Sequence, residues 1–453
     1  MARIVLTTFG SLGDLHPYLA VALALQRRGH HPVIATHDTY RGRAETMGLE
    51  FAAIRPSYAQ FGDVADVMRE AMDMRRGSEV VLHKLVLPFL RESRDDLLPV
   101  ARGADLIVDH VLTFAAPLVA ESLRIPRVST TLQPFAMFSA YDPPVAPAVP
   151  WLSLVRGIRP WPWRVLWALG RLVTRRWFRE LDAMRSEMGL PAQREHPMLE
   201  GFSRELHLAL FSRELAPPQP DWPASTVQPG FPIHDRGERG EGLPPALARW
   251  LDAGEPPLVF TLGSSAVFTA GEFYSAGAEA ARKLNRRAVL LTGLEGMNPV
   301  HGVPQVDCAA RDQAVVSVPY APHSEVMPRG CAIIHQGGVG TVAQAMRSGR
   351  PMLVVPFSHD QPDNARRCTE LGLARTLARE RVSAAAFERE LRALLADPAT
   401  ATRARDVAAR MRTEPGAEGA AEAIERLLAR AADAGAGSHA LAPPASAGIM
   451  KDV

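Results

Sequence analysis

The chain has 453 residues, of which 47% are hydrophobic and 22% are charged, the balance of an ordinary globular protein. Its net charge of +2 gives no field that would favour nucleic acid as a partner. Three cysteines without a C-x-x-C pair argue against a disulfide framework or a zinc site and indicate a reducing cytoplasm. The first ten residues predict a β-strand rather than a signal peptide, and no apolar run is long enough for a transmembrane helix.

Strand and helix patterns alternate through the first half of the chain. The predicted strands are Arg3–Phe9, Pro32–His37, Leu106–Asp109 and Arg127–Thr131, and the predicted helices are Pro17–Arg28 and Phe114–Leu123. Strands that alternate with helices indicate a parallel sheet covered on both faces.

The alternation starts again after Pro256. Strands are predicted at Leu258–Leu262, Ala288–Thr292, Val315–Val318, Ala332–His335 and Met352–Pro356, with helices at Gly271–Leu284 and Gly338–Arg347. The segment between the two halves is rich in proline, glycine and charge, as linkers are. We therefore predict an α/β protein with a first domain over residues 1–214, a linker over 215–245, a second domain over 246–403, a final helix over 404–431 and a disordered tail over 432–453.

Residues 151–179 interrupt the alternation with five tryptophans, seven arginines and no acidic residue. One interpretation is a pair of helices packed on the first domain, with the arginines in solvent. The other is a basic, aromatic face that covers an apolar acceptor or contacts anionic lipid at the inner face of the membrane.

A glycine-rich motif between a strand and a helix carries the strongest chemical signal. Glycines at a helix start let the backbone approach a ligand closely, and the free N–H groups and helix dipole there favour an anion. A histidine before the glycines adds a donor for a phosphate, and two serines after another strand close the cradle from the other side. Such a site holds a diphosphate without a metal ion or cofactor. The residues concerned are His335, Gly337, Gly338, Val339, Gly340, Thr341, Ser264 and Ser265.

A second loop of the same half follows the strand that ends at Pro356. It brings Asp360 and Gln361 together, and such groups suit the hydroxyls of a sugar. Two alternatives remain open at this point. The pattern from Gly338 to Ala343 also fits a dinucleotide fingerprint, with Asp360 roughly 20 residues on, as in an NAD(P)-dependent oxidoreductase. Asp360 alone also fits a helix N-cap.

The first strand is followed by a loop that supplies a candidate base. Asp14 and His16 lie beyond the carboxyl end of this strand, where open α/β sheets bind ligands. A general base there would remove the proton of an acceptor hydroxyl. Asp109, at the end of another strand, would tune that base, since two nearby carboxylates raise one pKa. The structural alternatives are a helix cap for Asp14, a first-turn position for His16 and a turn for Asp109.

Together these motifs resemble those of the family 1 glycosyltransferases with the GT-B fold, from Arg3 to Arg430. The resemblance implies two facing Rossmann-like domains with a cleft between them, a final helix that returns to the first domain, and inverting, metal-independent transfer from a nucleotide sugar. It implies that Asp14 is the base and Asp109 its partner. In the donor site it implies that His335 and Ser264 meet the diphosphate, that Tyr320 stacks on the nucleotide base, and that Asp360 and Gln361 meet the sugar.

Within the family, the chain is similar to the bacterial rhamnosyltransferase and sterol glucosyltransferase branch. Many members bind both ribose hydroxyls with a glutamate where this chain has Ala343. Because thymidine nucleotides lack the 2′-hydroxyl, this difference favours dTDP-rhamnose as donor, with UDP-glucose as the alternative. The aromatic, proline-rich stretch from Pro134 to Phe178 favours an apolar acceptor such as a hydroxyacyl lipid, a sterol or a polyketide. A non-catalytic helper of a partner enzyme is the remaining alternative.

Overall fold

The structure is a computed structural model that describes residues 1–147, 149, 152, 157, 159–234, 242–306 and 313–439. It contains two parallel β-sheets. The strands of the first sheet are β1 (Arg3–Thr7), β2 (His31–Thr36), β3 (Glu50–Ala53), β4 (Leu106–His110), β5 (Arg127–Thr131), β6 (Leu206–Ala209) and β7 (Thr226–Val227). Those of the second are β8 (Leu258–Thr261), β9 (Ala288–Leu291), β10 (Val315–Val318), β11 (Ala332–His335), β12 (Met352–Val354) and β13 (Ala374–Thr376).

Helices flank both sheets. Those of the first half are α1 (Leu12–Arg27), α2 (Arg41–Thr46), α3 (Val64–Ala71), α4 (Gly77–Val80), α5 (Leu90–Ala101), α6 (Ala115–Leu123), α7 (Pro160–Thr174) and α8 (Arg179–Glu187). Those of the second half are α9 (Pro245–Asp252), α10 (Phe273–Lys283), α11 (His323–Val326), α12 (Val339–Ser348), α13 (Gln361–Glu370), α14 (Ala384–Leu395), α15 (Pro398–Met411) and α16 (Gly416–His439).

The strand order reverses once in each sheet, and the two reversals locate the functional loops. The first sheet has the order β3-β2-β1-β4-β5-β6-β7, with Thr7 of β1 opposite Asp109 of β4. The second has the order β10-β9-β8-β11-β12-β13, with Thr261 of β8 opposite His335 of β11. Ligands of open α/β sheets bind beyond such switch points. We therefore expect the ligand-binding residues in the loops after β1, β4, β8 and β11.

Strand β1 shows why a strand covered on both faces has a continuous apolar run. Ile4 and Leu6 of β1 belong to the core packed under α1 and α16, while Val5 belongs to the core on the other face, under α5 and α6. Successive side chains of a strand point to opposite faces, so a strand with helices on both sides favours apolar residues at consecutive positions.

The segment predicted as a linker and the predicted final helix differ from the structure in their details. Residues 226 and 227 of the linker pair with β6 as β7. The single helix predicted over 404–431 is two helices, α15 and α16, because Pro415 and the left-handed Gly416 (φ 53°) interrupt it. Part of the predicted disordered tail, up to His439, continues α16, and residues 440–453 lie outside the described residues.

The interruption lets the chain return to the first domain. In α15, Ala404 and Val407 pack in the second domain, whereas Ile424 and Leu427 of α16 pack against α1 in the first. In the described part of the chain, no helix combines the length and the apolar character that a membrane span requires.

We predict that Ile424→Ala destabilises the protein by about 2–5 kcal/mol, since it empties a fully buried position between α16 and α1. The control is Arg426→Ala, two residues on, where the weak pair with Glu422 is exposed. Urea unfolding measures both variants. Equal midpoints for Ile424→Ala and the wild type would show that α16 does not stabilise the first domain.

Candidate functional site

The two sets of loops meet between the domains. A β-carbon added to Gly340, in the first turn of α12, would lie 3.7 Å from the Cα of Gly13, in the first turn of α1. Val339 and Leu12 both pack against the apolar core of the first domain. The N-termini of α1 and α12 thus approach each other, and the residues that follow both switch points share one cleft.

His335 is fully buried at the end of β11. The backbone N–H of Gly337 donates to its Nδ1 at 3.0 Å, so the ring proton of the neutral imidazole belongs on Nε2. That Nε2 has no hydrogen-bond partner among the residues the structure describes. Burial lowers the pKa of His335 to about 3, which keeps the ring neutral. His335 therefore offers one desolvated N–H donor beside the glycine loop.

The loop between His335 and α12 needs its glycines. Gly337 has φ 93°, and a β-carbon there would lie 2.9 Å from Cγ1 of Val354. Gly338 is the N-cap of α12 and has no side chain to cap the helix, so the first N–H groups of α12 are open to an anion. The Thr341 hydroxyl lies 3.3 Å from Nε2 of Gln336.

Ser264 and Ser265 follow β8, the neighbour of β11 in the sheet. Both are partly exposed, and a β-carbon added to Gly263 of the same loop would lie 2.4 Å from Nε2 of Gln336, the residue before the glycines. Tyr320, which follows β10, is 41% exposed, so its ring is accessible to a ligand.

Asp360 and Gln361 lie at the N-terminus of α13, and their side chains have different hydrogen-bond partners. Asp360 makes no side-chain cap, which removes the capping alternative. Instead its Oδ2 accepts a 2.7 Å hydrogen bond from Asn364, whose amide also donates to the carbonyl of Gly337. The side-chain oxygen of Gln361 accepts from the backbone of Phe357 at 2.8 Å and so orders its own loop.

Asp14 occupies the third position of α1, and its two oxygens face different surroundings. Oδ2 accepts from the backbone N–H of Ser11 at 2.8 Å and completes a capping box with that residue, so α1 begins at Leu12 and not at Pro17. Oδ1 lies 3.7 Å from Nε2 of His110. Burial raises the pKa of Asp14 to about 6, against the hydrogen bonds from Ser11. Asp14 is therefore both a helix-start residue and a carboxylate with one open oxygen.

Asp109 is ion-paired with an arginine of the neighbouring strand β5. Its carboxylate pairs with Arg127 at 3.0 Å, and no hydrogen bond or ion pair joins it to Asp14 within the described residues. Burial raises its pKa to about 6, and the Arg127 charge opposes this. Side chains alternate along β4, so the next residue, His110, is the one that faces Asp14.

The second carboxylate near Asp14 comes from the other domain. Burial raises the pKa of Asp360 to about 7, the Asn364 hydrogen bond opposes the rise, and the charge of Asp14 adds to it. The charge of Asp14 thus acts on Asp360, a residue that the sequence analysis did not pair with it. The ring of His16 lies 6.0 Å from that of His234. Burial lowers the pKa of His16 to about 3, and the charges of Arg43, His234 and His323 add to this effect.

Sequence reasoning missed the contacts that join the two domains around Asp360. Asp142 of the first domain pairs with Arg367 of α13, and the backbone N–H of Val145 donates to the buried Asp363 at 3.0 Å. On the other side, the Ser358 hydroxyl donates to the carbonyl of Asp73 at 2.7 Å. The two aspartates Asp360 and Asp363 were the available signal, but the partner from the first domain, Val145, lies 218 positions before Asp363.

In the described ranges, no three histidine, cysteine, aspartate or glutamate side chains lie together as a metal site would need. Cys368 is buried and Cys331 is partly buried, and Cys308 lies outside those ranges.

Two family models match this chain. Residues 4–137 match the glycosyltransferase family 28 N-terminal domain, and residues 304–427 match the C-terminal domain of proteins like erythromycin biosynthesis protein CIII. The chain is also 30% identical to O-mycaminosyltylonolide 6-deoxyallosyltransferase of Streptomyces fradiae, over 93% of this chain and 97% of the relative. The protein therefore belongs to the family 1 glycosyltransferases with the GT-B fold and is a glycosyltransferase. This membership removes the oxidoreductase alternative.

Two further similarities differ in extent. A sterol 3-beta-glucosyltransferase of Neosartorya fischeri is 27% identical over 94% of this chain, which spans only 29% of that relative. The structure of a Streptomyces sp. SF2575 glycosyltransferase complexed with thymidine diphosphate has a TM-score of 0.62 at 19% identity, and covers 94% of this chain and 100% of that one. The second similarity shows the shared fold.

We predict that His335→Ala weakens binding of thymidine diphosphate by about 10- to 100-fold, the effect of losing one hydrogen bond to a charged group. His31→Ala, at an exposed position of β2, is the matched control. Isothermal titration calorimetry gives both dissociation constants. An unchanged constant for His335→Ala would place the diphosphate away from this imidazole.

Proposed function

We propose that the protein is an inverting, metal-independent transferase that moves rhamnose from dTDP-rhamnose to a hydroxyl of an apolar small molecule or lipid. The observation that carries the proposal is the unpartnered Nε2 of His335 beside the open N-terminus of α12, in the same cleft as Asp14. The His335 imidazole and the N-terminus of α12 suit a departing diphosphate, and Asp14 suits an attacking hydroxyl.

In this proposal Asp14 Oδ1 takes the proton of the acceptor hydroxyl as its oxygen bonds to the anomeric carbon. The bond from that carbon to the diphosphate breaks on the opposite side, and the diphosphate leaves with the electron pair. Negative charge then grows where the His335 N–H and the α12 amides are already oriented, so little reorganisation is needed during the reaction. A hydroxyl that attacks opposite the leaving group inverts the anomeric centre.

The donor follows from a position on α12. Ala343, which is buried, replaces the acidic side chain that would bind the ribose hydroxyls. A thymidine nucleotide lacks the 2′-hydroxyl, so the absence of the acidic side chain weakens its binding less than that of a uridine nucleotide. The Streptomyces fradiae relative is named for transfer of a 6-deoxyallosyl group, and rhamnose is also a 6-deoxyhexose. Both observations support a dTDP-activated 6-deoxy sugar.

A UDP-glucose-dependent glucosyltransferase of a sterol is the second candidate. It is favoured by the similarity to the Neosartorya fischeri enzyme across nearly the whole of this chain. Both candidates share an apolar acceptor with a hydroxyl, and both use the same cleft and the same base.

We predict that dTDP-rhamnose raises the thermal unfolding midpoint more than UDP-glucose does in a panel that also includes dTDP-glucose, UDP-GlcNAc and NADPH. Release of the nucleoside diphosphate in a single turnover then tests catalysis with the donor that binds. Asp14→Asn should retain donor binding and lose release by roughly 10²–10⁴-fold. A greater shift with UDP-glucose would select the second candidate, and wild-type release by Asp14→Asn would place the base elsewhere.

The segment 151–179 supports a contact with the inner membrane face. On α7, Trp161, Leu169 and Leu172 are 65%, 54% and 77% exposed, and their spacing puts them on one face of the helix. Trp163 of the same helix is buried. An exposed apolar face on an arginine-rich segment without acidic residues is complementary to anionic lipid.

We predict that the protein co-sediments with vesicles containing phosphatidylglycerol at low salt, and that a Leu169→Ser, Leu172→Ser double variant loses most of this binding. The control is Leu294→Ser, which changes an equally exposed leucine of the second domain. If both variants sediment with the vesicles to the same extent as the wild type, α7 does not contact lipid.

A further inference from the structure

His110 is a buried polar side chain that the proposed mechanism does not use. It ends β4 at the switch point of the first sheet and is 3% exposed. Its backbone is fixed on both sides by Thr113, whose hydroxyl accepts from the His110 N–H at 2.9 Å and donates to its carbonyl at 2.8 Å. The ring stands edge-on to the ring of Tyr18, at a centroid distance of 6.1 Å. The imidazole is therefore held in a defined place.

Neither ring nitrogen of His110 has a hydrogen-bond partner in the described part of the chain. Such groups are rare, because a buried polar atom without a partner costs about 1–3 kcal/mol. His207, another buried histidine of the same sheet, shows the usual solution, with hydroxyls of Ser129 and Thr131 at its two nitrogens. His110 lacks such partners, which indicates that a bound ligand supplies one.

The unpartnered nitrogen faces the candidate base. Nε2 of His110 lies 3.7 Å from Oδ1 of Asp14, too far for a direct hydrogen bond. Oδ1 is also the oxygen of Asp14 that Ser11 leaves open. One hydroxyl oxygen beside this pair could contact both groups at normal hydrogen-bond distances.

We propose that His110 orients the acceptor: its Nε2–H donates to the oxygen of the acceptor hydroxyl while that hydroxyl donates its proton to Asp14 Oδ1. This inference rests on the proposed role of Asp14. During transfer the proton passes to Asp14, the oxygen forms its bond to the anomeric carbon, and the diphosphate leaves with the electrons. His110 keeps its own proton throughout, as a neutral donor. Its hydrogen bond fixes which lone pair of the oxygen points at the sugar.

The test of catalysis uses water as the acceptor, so that no acceptor needs to be known. Single-turnover hydrolysis of dTDP-rhamnose should fall about 10- to 100-fold in His110→Phe, as expected for one hydrogen bond to a reacting oxygen. His110→Gln, which retains an N–H donor, should recover part of the rate. Thymidine diphosphate should bind all three proteins within a factor of two, because its proposed site lies in the second domain. Hydrolysis by His110→Phe within twofold of the wild type would overturn the proposal.

Stability distinguishes an orienting role from a structural one. Because the ring nitrogens have no partners, His110→Phe should leave the thermal unfolding midpoint unchanged or raise it while the rate falls. His207→Phe is the matched comparison, since it removes a histidine that is hydrogen-bonded on both sides, and its midpoint should fall. A large loss of stability in His110→Phe would mean that the ring supports the fold, and would count against the proposal.

A direct measurement does not depend on catalysis. In protein labelled with ¹⁵N-histidine, the His110 signals, assigned with His110→Gln, should show a neutral ring with its proton on Nε2 from pH 5 to 8. A proton on Nδ1 would leave a bare nitrogen facing Asp14 and would overturn the proposal even in an active enzyme. If Nε2 carries the proton but no nucleotide sugar releases its diphosphate with water or with an apolar hydroxyl acceptor, the proposed function fails while the placement of this donor stands.

Discussion

The contact between the N-termini of α1 and α12 is the constraint on which the site depends. Gly13 and Gly340 have no side chains, so the two helix starts come within van der Waals distance, and the loops before them share one cleft. Both helix dipoles present their positive ends there. The acidic groups that accompany them, Asp14 and Asp360, come from different domains, so an open cleft would separate Asp14 from the loop that carries Asp360.

The protonation states of the groups in the cleft follow from their burial. Burial keeps His16, His110 and His335 neutral and lifts the pKa of both Asp14 and Asp360. A neutral histidine can donate a hydrogen bond without adding a charge that would have to be desolvated. The cleft thus holds its donors ready at neutral pH. The carboxylates with raised pKa values there are Asp14, at about 6, and Asp360, at about 7.

The sequence was sufficient for the architecture, because strand–helix alternation and the position of each glycine motif are local signals. The strands at Arg127–Thr131, Val315–Val318 and Ala332–His335 match the structure residue for residue. The partner of Asp14 was not predictable in the same way. Asp109 and His110 are adjacent in sequence, but the twofold repeat of a strand turns them to opposite faces, and a shift of one residue exchanges their roles. The Asp142–Arg367 pair joins residues 225 positions apart, and no periodicity connects them.

The interruption at Pro415 and Gly416 has a mechanical consequence. The chain crosses between the domains twice, near Pro229 and again near Gly416, and the two crossings are joined by a 2.8 Å hydrogen bond from the Gly416 N–H to the Pro229 carbonyl. Glu414 adds a bond from the Ser212 hydroxyl at 2.8 Å. The two chain crossings lie side by side and together form a hinge between the domains. Such an arrangement restricts sliding of one domain past the other more than rotation about the paired connections.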